Sequence, residues 1–277
     1  MSSAIYTVNC SILLTEFDLL ERPAAARAAG FDAVEFWWPF TEALPTDREV
    51  EAFARAIEDA GVHLTGLNFA AGDMPAGDRG ILSDPDRSSE FRDSVDVAVA
   101  IATRLGTKAF NALYGNRRDD VSAAAQDAAA VENLAYAARA VHPLGAVVLV
   151  EPVSGAQRYP LKVARDAVEV IDRVVRETDQ NATNLRLLAD LYHLSVNGDD
   201  VAAALDRYAE RIGHVQIADA PGRGEPGTGS LPLEQFLNQL SGNGYRGYVG
   251  LEYKASQPDT FAWLPRPERA ATSRANH

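Results

Sequence analysis

A single cysteine, Cys10, excludes an intrachain disulfide and leaves no thiolate cluster for zinc. Basic charge is also scarce. Against 39 Asp+Glu there are 26 Lys+Arg, a formal net charge of −13, which argues against a nucleic-acid or anionic-membrane surface, since either needs a clustered basic face. No apolar run approaches the roughly 20 residues of a membrane span. The start, MSSAIYTVNCS, lacks the basic and apolar segments of a secretory signal, so a cytoplasmic location is expected. Glycine is missing where a dinucleotide fold would need it, because NCSILLTEFD after the first β-rich run contains none. What the chain does have is 47% hydrophobic residues, ample for a core.

Short β-rich runs alternate with longer helix-forming stretches throughout. The spacing predicts strands at Ala4–Cys10, Ala33–Trp37, His63–Phe69, Lys108–Leu113, Val147–Glu151, Leu185–Asp190, His214–Ala218 and Tyr248–Glu252. Between them AAARAAG, VEAFARAIEDAG and VENLAYAARAVHPLG are rich in alanine, with apolar residues three and four apart. Gly30, Gly61, Gly106, Gly145, Gly213 and Gly244 precede strands and read as left-handed helix ends. Continuous apolar runs such as AVVLV indicate strands buried on both faces. Eight such units predict an α/β protein of the (β/α)₈ TIM barrel type, a parallel eight-stranded barrel with outer helices, in preference to a doubly wound sheet. No linker divides the chain, so residues 1–265 are expected to form one catalytic barrel domain. Residues 266–277 read as a flexible tail.

In such a barrel the C-terminal strand ends face the active site. Strand five ends in Glu151, strand six in Asp190 and strand eight in Glu252, and strand seven carries Gln216. One acid at a strand end also serves as a helix cap or half of a surface ion pair. Four oxygen-bearing side chains on successive strands are another matter. Three converging carboxylates repel unless a cation joins them, and an all-oxygen set favours Mg²⁺ or Mn²⁺ over zinc. His193, three residues past Asp190, is placed to reach the same cavity. His214 lies on the face of Gln216 but deeper, as a core histidine satisfied by a neighbour, whereas His63, His142 and His277 lie away from the site. Two glycine-rich loops, residues 68–80 and 219–230, cross the same face. Their only cations, Arg79 and Arg223, are candidates to grip a carboxylate through paired hydrogen bonds. Neither loop matches a nucleotide phosphate cradle.

The segments NFAAGDMPAGDRG, VEPVSG, ADLYHL, GHVQIADAPGRGEPGTGS and GYVGLEYK, in this order, resemble the hydroxypyruvate isomerase family of the xylose isomerase-like barrels, up to about Lys254. The resemblance implies that Glu151 and Glu252 are the acid/base pair and that Glu151, Asp190, Gln216 and Glu252 surround a divalent metal. It implies further that His193 and Arg223 hold substrate oxygens. Gln216 marks the branch, since sugar epimerases of the superfamily commonly carry histidine there. Three residues depart from the family pattern: Met74 stands for a tryptophan, Ser154 for an asparagine and Ser230 for a glutamate, all in loops expected to line the substrate. The implied reaction interconverts hydroxypyruvate and tartronate semialdehyde through an enediolate, with a small hydroxy-oxo-acid as the partner molecule. Two bases on opposite sides of a planar enediolate suit isomerisation and epimerisation alike, so a 3-epimerase or an isomerase of a larger oxo-acid or ketose is the alternative. A non-catalytic binding barrel and a DNA-repair nuclease are further rivals, the first opposed by the retention of both glutamates and the second by the acidity and oxygen ligands. Oligomeric state, homo-oligomers included, is left open by these residues.

Overall fold

A computed structural model describes residues 4–178 and 183–270. Eight strands, β1 (Ile5–Asn9), β2 (Ala33–Phe36), β3 (His63–Asn68), β4 (Ala109–Asn111), β5 (Val147–Val150), β6 (Leu185–Asp190), β7 (Ile212–Ile217) and β8 (Tyr248–Leu251), close into a barrel in sequence order, with β8 parallel to β1. Each expected strand is present. The helices are α1 (Arg22–Ala29), α2 (Asp47–Ala60), α3 (Ser88–Leu105), α4 (Ala123–Val141), α5 (Ala164–Glu177), α6 (Leu191–Val196), α7 (Val201–Arg207) and α8 (Leu233–Gly242).

Strands such as β5, VVLV, are almost wholly buried because the barrel interior covers one face and the helices cover the other. The helices turn apolar residues toward the barrel. In α5, Ala164, Ala167, Val168, Ile171 and Val174 turn inward at helical spacing, while Arg165, Glu169 and Arg173 point away from the core. Helix α2 starts where Thr46 and Glu49 exchange side-chain and backbone hydrogen bonds, which satisfies donors that the first turn would leave open. Among the described residues no helix is long and apolar enough to cross a membrane.

Two places differ from the sequence reading. Of the six glycines read as helix ends, five adopt positive φ, but Gly213 lies inside β7. The β6–β7 register jumps from Leu187↔Ile212 to Leu188↔His214, so Gly213 is the extra residue of a bulge. A Cβ there would stand 2.5 Å from Arg186 Cβ and 2.9 Å from Leu149 Cδ2, which explains the glycine by space rather than by φ. Residues 266–270, placed in the tail by sequence, pack on α1. Arg266 donates to the carbonyl of Ala28 at 2.8 Å and Arg269 to that of Ala29 at 2.9 Å. The rest of that segment, 271–277, with His277, lies outside the described residues.

Candidate active site

A cavity of about 1180 Å³ opens at the C-terminal ends of the strands, where the barrel fold concentrates function. Glu151 and Glu252, each one residue past its strand, line it together with His193, Arg223, Arg79, Ser154 and Met74. Asp190 and Gln216 lie just beneath, paired across β6 and β7, with exposures of 1% and 4%. Ser230, the third family departure, is exposed outside the cavity and bonds Ala220, so only Met74 and Ser154 of the three stand at the substrate space.

Asp190 serves as a helix cap through only one of its two oxygens. Its Oδ1 accepts the backbone N–H groups of Tyr192 (2.8 Å) and His193 (3.1 Å), capping α6. Its Oδ2 is buried and accepts no hydrogen bond among the described residues, although His193 Nε2 stands 3.6 Å and Arg223 Nη2 3.7 Å away. Gln216 Oε1 and Asn111 Oδ1 are likewise buried without partners among the described residues. Orphaned oxygens of this kind cost stability unless something else occupies them. Ligand atoms of Glu151, Asp190 and His193 lie within 4.8 Å of one another, close enough to share one ion.

Glu151 accepts from Asn111 Nδ2 at 2.7 Å and is held above the usual carboxylate range, first by burial and then by the charges of Glu252 and Asp190. Glu252 stands outside the three-residue group. Its Oε1 is paired with Arg223 Nη2 at 2.6 Å and accepts the indole N–H of Trp37 at 3.3 Å. Burial pushes Glu252 up to about 8, against the opposing pull of Arg223.

His193 differs from its neighbours in what it can offer. The Ser154 backbone N–H donates to Nδ1 at 3.0 Å, with the Ser154 hydroxyl 2.7 Å from the same nitrogen. A neutral ring that accepts at Nδ1 carries its proton on Nε2, the nitrogen nearer Asp190. Burial lowers its pKa to about 4, outweighing the pull of Asp190, so the ring is neutral near pH 7. Nε2–H is therefore a donor toward an oxygen, and a metal bond would require it to give up that proton. His214 is buried and bonded to Glu35 at 2.7 Å, while His63 and His142 are exposed.

The two arginines fare differently. Arg223 reaches Glu252 and lies over the Tyr192 ring at 5.5 Å, inside the site. Arg79 lines the cavity, but its guanidinium bonds the carbonyls of Met74 (3.0 Å) and Asp78 (2.5 Å) in its own loop, so it staples that loop instead of presenting a free fork. Sequence reasoning passed over Asn68 and Asn111, polar ends of β3 and β4, although they occupy the same strand-end positions as the acids on β5 to β8. Trp37 and Lys254 also went unnoticed. Lys254 stands exposed at the cavity, its ammonium in no hydrogen bond or ion pair among the described residues.

Comparison with known proteins agrees with this architecture. The family model described as xylose isomerase-like TIM barrel matches residues 23–275. A Streptomyces coelicolor protein named "Putative hydroxypyruvate isomerase" is 55% identical over 96% of this chain and 97% of its own length. The Escherichia coli "Hydroxypyruvate isomerase" is 35% identical over 90% and 93%, and the Cupriavidus necator "2-oxo-tetronate isomerase" 34% identical over 94% and 96%. Among solved structures, one described as "AP endonuclease, family 2 from Brucella melitensis" superposes with a TM-score of 0.83 at 31% identity, covering 94% of this chain and 97% of that one. With the barrel, the strand-end acids and these relatives together, the chain belongs to the hydroxypyruvate isomerase family of the xylose isomerase-like TIM barrels.

Proposed function

We propose that this protein is an isomerase of small oxo-acids that interconverts hydroxypyruvate and tartronate semialdehyde. The observation that carries the reading is the convergence of Glu151, Asp190 and Glu252, with unbonded oxygens on Asp190 and Gln216, at the mouth of a barrel whose relatives are named for that substrate. The donor set fits a hard divalent cation, Mg²⁺ or Mn²⁺, with Glu151, Asp190, Gln216 and Glu252 as the residues that would hold it. Bound there, the cation would supply Lewis-acid polarisation of the substrate's carbonyl and neighbouring hydroxyl.

The chain's own groups account for the proton movements. One glutamate of the pair Glu151 and Glu252 removes a C3 proton, leaving a planar enediolate across C2 and C3. The hydroxyl proton on O3 passes to O2, the C3–O3 bond becomes the aldehyde carbonyl as the C2–C3 double bond is lost, and the second glutamate delivers a proton to C2. One C–H bond is broken and one is made, and no redox partner is needed. Burial raises both carboxyls toward the range in which a group can take and return a proton near neutral pH, with Glu252 and Asp190 adding to the shift at Glu151, and Asp190 and Glu35 to that at Glu252. His193 Nε2–H is oriented to donate to a substrate oxygen, and Arg223 steadies Glu252. The substrate carboxylate is met by the cationic side of the cavity, formed by Arg223 and Lys254.

A larger substrate is favoured by two observations. The cavity, at about 1180 Å³, far exceeds a three-carbon acid, and a 34% identical relative is named for a four-carbon oxo-acid. The nuclease reading suggested by the Brucella neighbour is opposed by the net charge of −13 and by the pairing of Arg87 with Asp78 and Glu90, and of Arg223 with Glu252. Assay of hydroxypyruvate and 2-oxo-tetronate side by side, with Mg²⁺ or Mn²⁺ and with chelator, tests the proposal. Metal-dependent turnover of hydroxypyruvate supports it. Turnover of the four-carbon acid alone moves the assignment to the larger substrate, and turnover of neither overturns it.

A further inference from the structure

Beneath the site lies a buried polar chain that the reaction does not use. Glu35 on β2 is 3% exposed. Its Oε1 meets Asn9 Nδ2 at 3.1 Å and Gln216 Nε2 at 2.7 Å, and its Oε2 meets His214 Nε2 at 2.7 Å. The chain of donors has a readable direction. Asn9 Oδ1 accepts the backbone N–H of Ser11 at 3.1 Å, so the Asn9 amide must turn its NH₂ to Glu35. Glu35 Oε1 is therefore an acceptor, and Gln216 can meet it only through its own NH₂. Flipped, the amide would set oxygen against oxygen at 2.7 Å. The Gln216 oxygen is consequently turned away from Glu35, buried and without a partner among the described residues.

That orientation runs against the local electrostatics. The acids Glu151, Asp190 and Glu252 would attract the Gln216 NH₂ if it were free to turn, and an NH₂ aimed at them would satisfy a carboxylate and repel a cation. The surrounding backbone makes room for the arrangement. A Cβ at Gly250 would stand 2.6 Å from Glu35 Oε1 and 2.8 Å from Gln216 Cγ, so only glycine lets the two side chains meet beside β8. The β2–β3 register shifts between Val34 and Glu35, and Glu35 then lies opposite Gly66, where a Cβ would be 3.4 Å from its own Cβ.

We propose that Glu35 is a positioning residue, which, fixed by Asn9, locks the Gln216 amide so that its oxygen is presented to a divalent cation. The inference rests on the metal reading above and adds a residue that touches neither substrate nor cation.

Titration with Mn²⁺, followed by loss of the electron paramagnetic resonance signal of the free ion, tests it without any reaction. Four proteins are compared: wild type, Glu35→Gln, Gln216→Glu and the double variant. Glu35→Gln keeps the shape but can accept or donate, so it frees the Gln216 amide, and Mn²⁺ affinity is expected to fall roughly 10–100-fold, as for other residues that orient a ligand. In the Gln216→Glu background, position 216 offers an oxygen whichever way it turns. There Glu35→Gln is expected to leave Mn²⁺ affinity unchanged or raise it, since it also removes a repelling carboxylate. Unchanged affinity in Glu35→Gln alone overturns the proposal, as does an equal loss in both backgrounds, which would mean general damage to the barrel. If Glu35→Gln does not fold, Asn9→Ser reads the same coupling: a several-fold loss that vanishes in Gln216→Glu supports the proposal, and no loss overturns it. Wild-type protein that binds no Mn²⁺ would instead overturn the metal reading itself, and the inference with it.

Discussion

Replacing Glu252 with glutamine in metal-free protein should reverse a pH-dependent weakness of the fold. The Glu252 carboxyl is 5% exposed, and burial, opposed by Arg223 and reinforced by Asp190 and Glu35, raises its pKa from 4.5 to about 8. Between those values the folded chain keeps a proton that the unfolded chain releases. The associated stability is fully present below about pH 4.5 and is lost as pH rises toward 8, at about 1.4 kcal/mol per pH unit. From pH 6 to pH 7.5 the loss is about 2 kcal/mol, and for a domain of this size each kcal/mol moves Tm by roughly 2–4 °C. Glutamine has no such proton. In chelator, the Tm of Glu252→Gln minus that of wild type should therefore grow by roughly 4–8 °C over this interval, followed by circular dichroism. His193 has the opposite dependence, losing stability as pH falls from 6.5 toward about 4, but it is present in both proteins and cancels in the difference. Saturating Mn²⁺ should raise the Tm of wild type at pH 7.5, because at 100 times Kd it adds about 2.7 kcal/mol to a protein that binds it. A Tm difference that is flat or shrinks with rising pH would refute the reasoning.

Arg223→Ala should raise KM more for oxo-acids than for neutral ketoses and, by removing the partner that lowers Glu252, should move the acid limb of the rate profile to higher pH; an unmoved profile with equal KM changes would reduce Arg223 to a loop residue. His193→Phe should cost about tenfold or more in kcat/KM while leaving Mn²⁺ affinity within about twofold, the pattern of a donor to substrate and not a ligand. If Mn²⁺ affinity falls as far as in Asp190→Asn, His193 belongs to the metal shell. Gly213→Ala should lower unfolding stability by about 1–3 kcal/mol in urea, because its Cβ would meet Arg186 and Leu149; a neutral result would mean that the β7 bulge relaxes freely.

The barrel was legible because its signal is repeated and local. Apolar strand runs recur eight times, most of them followed by a helical stretch, and each strand could be located without knowledge of the others. The strand-end acids were visible for the same reason, since Glu151, Asp190 and Glu252 each close a short apolar run. What escaped depends on contacts between residues far apart in sequence. Glu35 and Gln216 meet across 181 positions, and Arg223 and Glu252 across 29, so neither pairing has a spacing that a single segment could betray. Arg79 and Arg223 looked alike in sequence, two cations in glycine-rich loops. Only the fold separates them, turning one to its own backbone and the other to a buried carboxylate. Gly213 shows a similar limit. A glycine before a strand usually ends a helix, and only the register of β6 against β7 reveals a bulge. Asn111 was within reach, since the strand-end rule applied to β5 through β8 applies equally to β4.

Deuterium exchange tests the central claim most directly. Hydroxypyruvate incubated with the protein and Mn²⁺ in deuterated water should take up solvent deuterium at carbon as tartronate semialdehyde forms. Glu151→Gln should slow that uptake by at least roughly 100-fold, and chelator should abolish it. Isomerisation that proceeds at the wild-type rate in Glu151→Gln, or no carbon-bound deuterium in either direction, would contradict the account.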